Sequence, residues 1–157
     1  MSEYPRLEPG QTAPAFTLQD HEGKPVSLID FAGRKIVLYF YPAALTPGCT
    51  KESCEFNEAL DSFESHGYAV VGVSPDEPAK LSNFKSKEGL GFPLLSDPDK
   101  IVHQAYGAYG EKSLYGRIYT GVLRSTFVID EEGIVTEALY NVKATGHVAM
   151  LSKRLGL

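Results

Sequence analysis

The sequence predicts an α/β fold: a central mixed sheet flanked by helices, preceded by an N-terminal β-hairpin. Three observations predict it. Two short runs, residues 35–41 (KIVLYFY) and 68–74 (YAVVGVS), lack polar alternation, as strands buried on both faces do. Amphipathic helical stretches alternate with these runs. Near the start, a polar segment separates two strand-like stretches.

Taken in order, residues 15–20 and 25–28 flank the turn His21-Glu22-Gly23-Lys24 and form the hairpin. Residues 35–41 and 68–74 are the central strands. Between them a helix begins near Pro47 and stops at His66-Gly67, where glycine is the expected terminator. Residues 76–88 read as a helix ended by Gly89. Ser96-Asp97-Pro98 opens a short helix ending near Gly107, with a cap residue ahead of proline at the first helical position. Residues 107–121 (GAYGEKSLYGRIYTG) read as a loop whose length implies a purpose. Strands at 122–130 and 134–141 enclose the turn Asp130-Glu131-Glu132-Gly133, and an amphipathic helix covers 146–155. This order is compatible with a thioredoxin-like core. No repeat, low-complexity tract or linker interrupts it, so residues 1–157 read as a single domain.

Fifteen Lys and Arg against twenty Asp and Glu leave a formal charge of -5. Neither nucleic acid nor an anionic membrane suits that balance, because both reward clustered basic residues. The segment MSEYPRLEPGQ has no signal-peptide pattern, and the longest apolar run, 36–41, is far too short to cross a bilayer. A cytoplasmic protein is expected. In a reducing compartment its two cysteines point to redox or metal chemistry rather than to a permanent staple.

Both cysteines fall on the helix after residue 41. Thr46 then Pro47 reads as a cap followed by proline at the first helical position, which puts Cys49 in the first turn. Unpaired N–H groups and the positive end of the helix dipole favour an anion there, so a thiol at this place is expected to ionise readily. At 100° per residue, Phe56, Leu60 and Phe63 lie within about 40° of Cys49, on the stripe that packs on the sheet. Cys54 lies about 140° away, on the solvent face with Thr50, Asn57, Glu58 and Asp61. Five residues apart on an intact helix, the two Cα atoms are about 8.6 Å from one another, whereas a disulfide tolerates about 7 Å at most. Any bond between them therefore requires the helix to unwind.

The pattern Pro42-x-x-x-Thr46-x-x-Cys49 resembles the active-site signature of peroxiredoxins. The longer string YFYPAALTPGCTKESCEF, with its second cysteine five positions on, resembles the bacterioferritin comigratory protein or peroxiredoxin Q branch. The likeness continues through PAFTLQD, VVGVSPD, FPLLSDPD, LRSTFVID and NVKATGH, and so spans nearly the whole chain. One departure is that Tyr106 and Tyr109 stand where relatives often carry Trp.

The resemblance implies a thioredoxin-like fold and a role for each matching residue. Cys49 would be the peroxidatic thiolate and Cys54 the resolving thiol. Thr46 would hydrogen-bond the peroxide, Pro42 would wall the pocket, and Arg124 would sit beside Cys49 with Glu52 helping to hold it. Hydrogen peroxide or an organic hydroperoxide would oxidise Cys49 to a sulfenic acid. Cys54 would condense with it, and a thioredoxin-type dithiol protein would reduce the resulting disulfide. The cycle needs no cofactor or metal, and the resemblance leans towards a monomer.

Elementary chemistry favours the same residue types. Charge develops on the departing oxygen as the O–O bond breaks, and a guanidinium stays protonated at every working pH to receive it. Rival readings remain open at this stage. A metal-binding module would need paired ligand spacing, which Cys-x4-Cys and the four histidines lack; His21, His66, His103 and His147 read as surface residues. A thioredoxin-like dithiol oxidoreductase would need Cys-x-x-Cys, which is missing. A chaperone role would draw on Phe56 and Leu60 once the helix has opened.

Overall fold

The computed structural model describes residues 5–114 and 116–157. Among the described residues nine strands and five α-helices follow one another, besides a 3-10 turn at Leu28–Phe31: β1 (Thr17–Asp20), β2 (Pro25–Ser27), β3 (Lys35–Phe40), α1 (Pro47–Glu58), α2 (Leu60–Ser65), β4 (Tyr68–Ser74), α3 (Pro78–Glu88), β5 (Leu94–Ser96), α4 (Ile101–Ala105), β6 (Tyr109–Leu114), β7 (Arg117–Val122), β8 (Ser125–Ile129), β9 (Val135–Leu139) and α5 (His147–Arg154). Seven strands form one sheet in the order β2-β1-β5-β4-β3-β8-β9. It is mixed. β3, β4 and β5 run parallel, while β8 and β9 on one side and β1 and β2 on the other complete it antiparallel.

Strand geometry sorts the core into two layers, because successive side chains point to opposite faces. On β3, Val37 and Tyr39 join Tyr41, Phe56, Phe63, Leu81, Phe84 and Leu151 on the face covered by helices. Ile36, Leu38 and Phe40 point the other way, to Phe16, Val102, Tyr106 and Phe127. Both layers being apolar, a central strand needs no polar alternation, which is why 35–41 and 68–74 read correctly from sequence. The N-terminal hairpin, the αL glycine that ends α3 at Gly89 and the final helix also stand where expected.

Four expectations require correction. The segment 107–121 is not a loop: β6 and β7 pair antiparallel along it, with Lys112 opposite Tyr119 and its ammonium 5.5 Å from that ring. β7 exposes residues at successive positions, so backbone pairing and cross-strand contacts hold the hairpin together without a burial period. The helix near Pro98 begins only at Ile101, after Lys100 in the left-handed region; Asp97 caps it from a distance by accepting the N–H of His103 at 2.9 Å. The strand read at 122–130 is divided, Val122 ending β7 and Ser125 opening β8, with Leu123 and Arg124 between them. The helix read through to residue 66 bends at Ala59, whose N–H still reaches Glu55 O while its carbonyl accepts from Phe63. The three-residue strand β5, entirely buried, was not anticipated. Among the described residues no helix is long and apolar enough to cross a membrane.

One close approach ties the sheet to α1. A Cβ at Gly72 of β4 would stand 2.9 Å from the Tyr39 ring and 3.1 Å from Leu94 Cδ2. The Tyr39 hydroxyl in turn shares a 2.7 Å hydrogen bond with Ser53 of α1. Gly72→Ala is expected to lower stability by about 1–3 kcal/mol, the usual range for overpacking a full core. Urea unfolding measures this, and an unchanged midpoint would mean that the Tyr39 ring yields freely.

Candidate active site

The loop between β3 and α1 builds the site. Tyr41 extends β3 by one more bond to Val73 O, and the chain then turns through Pro42 and Ala43. Asp76, just beyond β4, accepts the N–H of Ala44 at 2.6 Å and the Ser74 hydroxyl at 2.8 Å, and is paired with Lys80 at 3.0 Å. This carboxylate pins the loop at its middle. Leu45 takes a positive φ of 67°, and Thr46 becomes the N-cap of α1 with Pro47 in its first turn.

Thr46 occupies the cap position without making the side-chain cap bond. Its hydroxyl instead donates to Ala43 O at 2.7 Å, which leaves the oxygen lone pairs to accept another hydrogen bond. Pro42 is half-buried beside this loop. Cys49 is the third residue of α1 and only 1% exposed, packed at the edge of the helix-side core as the projection required.

Register explains the arrival of Arg124. β8 runs antiparallel to β3 with Phe40 opposite Ser125, so Arg124 lies where β3 gives way to the loop that carries the cysteine. One guanidinium nitrogen donates to Cys49 Sγ at 3.2 Å and the other terminal nitrogen to Glu52 Oε1 at 2.6 Å. Gly48 lies beside the group: a Cβ there would stand 3.4 Å, an ordinary contact distance, from the same nitrogen that reaches the sulfur. Val142 N–H ties down the Arg124 carbonyl at 2.9 Å.

Glu52 is fully buried, one turn after Cys49 on the same helix, and its Oε2 has no hydrogen-bond partner. Burial pushes its carboxyl up to about 7 in spite of the pull of Arg124. For Arg124 burial acts downward, but the charges of Glu52 and Cys49 outweigh it and hold the proton more firmly than usual. Cation, sulfur and carboxylate thus form one bridge across the sheet-facing side of α1, and the structure brings Cys49, Arg124 and Glu52 into direct contact.

Cys54 stands apart. Both thiols are free, and the Cys54 S–H donates to Glu88 Oε1 at 3.4 Å. It is half-buried against the end of α3 rather than on open solvent, as the helical projection alone implied. Burial first, then the bond to Glu88, raises this thiol above its ordinary value.

The reading of all four histidines as surface residues also needs correction. His103 and His147 are buried, His103 against Asp97 at 2.6 Å and His147 against Thr126 Oγ1 at 2.8 Å. His147 also sets its ring edge-on to Phe56 of α1, 6.2 Å between centroids. Among the described residues no group of three or more His, Cys, Asp or Glu is placed to hold a metal ion.

A buried helix-start thiol bridged by a guanidinium, on a thioredoxin-like sheet, defines a thiol-dependent peroxidase. The sequence profile of the AhpC/TSA family matches residues 9–138. A relative of Mycobacterium tuberculosis strain H37Rv that bears a peroxiredoxin name is 57% identical over 157 residues, all of both chains. Peroxiredoxin Bcp of Escherichia coli K12 is 43% identical over 141 residues, 90% of each. Among solved structures, the Xanthomonas campestris bacterioferritin comigratory protein, described for its alkyl peroxide reduction activity, matches with a TM-score of 0.85 at 36% identity over 98% of both chains. A cysteine variant of Xylella fastidiosa PrxQ matches at 0.89 with 34% identity over 97% of each. The chain belongs to the AhpC/TSA family, on its Bcp/peroxiredoxin Q branch.

His147 makes the stability of this arrangement dependent on pH. Burial, reinforced by the Arg124 charge, lowers its pKa from 6.5 to about 4. Between these values the unfolded chain binds the proton that the folded one refuses, so stability falls as pH drops from about 6.5 towards 4. Urea midpoints at pH 7 and pH 5 are expected to differ less in His147→Gln than in the parent chain. Equal differences would show that His147 takes up its proton without unfolding.

Proposed function

We propose that the chain reduces hydrogen peroxide and organic hydroperoxides through a sulfenic acid at Cys49 and a Cys49–Cys54 disulfide. The observation that carries this reading is the 3.2 Å contact from the Arg124 guanidinium to Cys49 Sγ at the start of α1. The positive charge favours the thiolate and faces the charge that forms when the O–O bond breaks. Thr46, its own proton committed to Ala43 O, accepts the O–H of the incoming peroxide. Pro42 forms the wall of the pocket, and Glu52 fixes the angle of the guanidinium.

In the first step Cys49 thiolate attacks one peroxide oxygen and becomes a sulfenic acid, and the other oxygen leaves as water or an alcohol. In the second, Cys54 displaces hydroxide from that sulfur, and the hydroxide takes the thiol proton to leave as water. α1 is continuous from Pro47 to Glu58, so its first turns must unwind for the sulfurs to meet. A thioredoxin-type dithiol then restores both thiols by exchange. Two sulfurs suffice for this cycle, and the reading includes no cofactor. We place the enzyme in the cytoplasm, where such reductants operate, as one domain over 1–157 acting as a monomer.

Intact mass after one equivalent of peroxide tests the cycle: a loss of about 2 Da is expected for the disulfide, and a gain of about 16 Da in Cys54→Ser. Cys49→Ser is expected to abolish turnover. Cys54→Ser should consume about one peroxide per chain and then stop with a dithiol reductant; continued cycling would overturn the resolving role. Arg124→Ala is expected to slow the attack on peroxide about a hundredfold or more, as loss of a charge-stabilising donor does. Stopped-flow kinetics measures it, and a rate within a factor of about two would remove the guanidinium from the mechanism.

A further inference from the structure

The resolving sulfur has a partner that the peroxide step does not use. Cys54 lies on the flank of α1 that meets the last residue of α3, and its S–H points to Glu88 Oε1 at 3.4 Å. One turn further along α1, Asn57 grips the same stretch of chain twice: its Nδ2 donates to Gly89 O at 3.1 Å, and Gly91 N–H donates to its Oδ1 at 2.8 Å. Leu60 packs so closely here that a Cβ at Gly91 would come within 2.9 Å of its Cδ2. Residues 88–91 therefore form a clasp along the side of α1 away from Arg124.

We propose that Glu88 is a positioning residue for the second chemical step, clasping the Cys54 thiol to the folded helix and holding it back from the Cys49 sulfenic acid until α1 unwinds. This rests on the resolving role proposed for Cys54. The chemistry follows from the contact. Only a thiolate displaces hydroxide readily from a sulfenic sulfur, and a thiol donating to a carboxylate resists losing its proton. Glu58, on α1 itself, adds to the same push. Lys85 of α3 is committed to the carbonyls of Leu90 and Phe92, at 2.6 and 3.0 Å. When α1 opens, Cys54 leaves Glu88, recovers ordinary acidity and gains reach in one event. A sulfenic acid left waiting meanwhile is open to a second peroxide and to sulfinic acid, so the strength of the clasp sets how much peroxide the enzyme survives.

Glu88→Gln keeps the shape and removes the charge, and Glu88→Ala removes the acceptor as well. In the full chain, stopped-flow oxidation of Cys49 is expected to be unchanged in both, while conversion of sulfenic acid to disulfide accelerates about threefold to tenfold. That is the range for losing one hydrogen bond to a charged group at a half-exposed site. In a Cys49→Ser background, the pH midpoint for alkylation of Cys54 is expected to fall when Glu88 becomes Gln. Slower or unchanged resolution, or an alkylation midpoint that stays put while only melting temperature moves, overturns the clasp. A parent chain that accumulates sulfenic acid with no loss of two daltons overturns instead the resolving role beneath it.

Discussion

A half-buried guanidinium held between a sulfur and a carboxylate imposes the tightest constraint on this molecule. Removing three ionisable groups from water is costly unless each finds a partner of opposite charge at hydrogen-bond distance. Arg124 meets that condition for Cys49 and Glu52 together, with its two terminal nitrogens. Two features of the neighbouring structure keep it there: the β3–β8 register and the tether from Val142 to its carbonyl. Two anions would compete for one cation. Burial leaves Oε2 of Glu52 without a partner and pushes its carboxyl up to about 7.

In the proposed cycle the helix that carries both cysteines favours the first reaction and opposes the second. α1 supplies its N-terminal dipole to Cys49 only while it is folded, and it holds Cys54 too far round for a bond. Ser53 on Tyr39, Phe56 stacked 4.5 Å from the Tyr39 ring, and Asn57 on the α3–β5 turn fasten it along its length. Its first turn is anchored differently, through the Asp76-bound loop and the Arg124 bridge. Oxidation alters the second anchor directly. In the proposed cycle the sulfenic acid is neutral, so one electrostatic reason for the first turn to stay wound weakens once the peroxide has reacted. Order in time is thereby built from order in charge.

What could be read in the sequence divides along the same physical line. Local signals were legible: Thr46-Pro47 ahead of Cys49, the apolar runs of β3 and β4, and Gly89 after α3 all act over a few residues. The place of Arg124 was legible only through resemblance, because antiparallel register between strands some ninety residues apart leaves no local trace. Asp76 and Glu88 went unnoticed, and His147 was misread as a surface residue, for a related reason. Each is an ordinary polar residue in sequence, and becomes a loop pin, a thiol partner or a buried ring only through what the fold sets against it. The β6–β7 hairpin failed as a prediction from the opposite cause, since it buries too little to show a period.

Exposure differs between the two sulfurs, and that difference fits the reductive half of the proposed cycle. Cys49 lies sealed in the core, whereas Cys54 is half-buried at the surface end of the clasp. In the proposed cycle we take the Cys54 sulfur, nearer the surface in the folded chain, as the one a protein dithiol attacks. Attack there expels Cys49, and exchange runs fastest when the departing sulfur is stable as an anion. The helix start and Arg124 offer that stability as α1 winds back. In the proposed cycle one guanidinium thus serves at both ends: it favours the sulfur as nucleophile towards peroxide, and receives the same sulfur as a leaving group. A site arranged around Cys54 could do neither, because Glu88 stands where the cation would have to be.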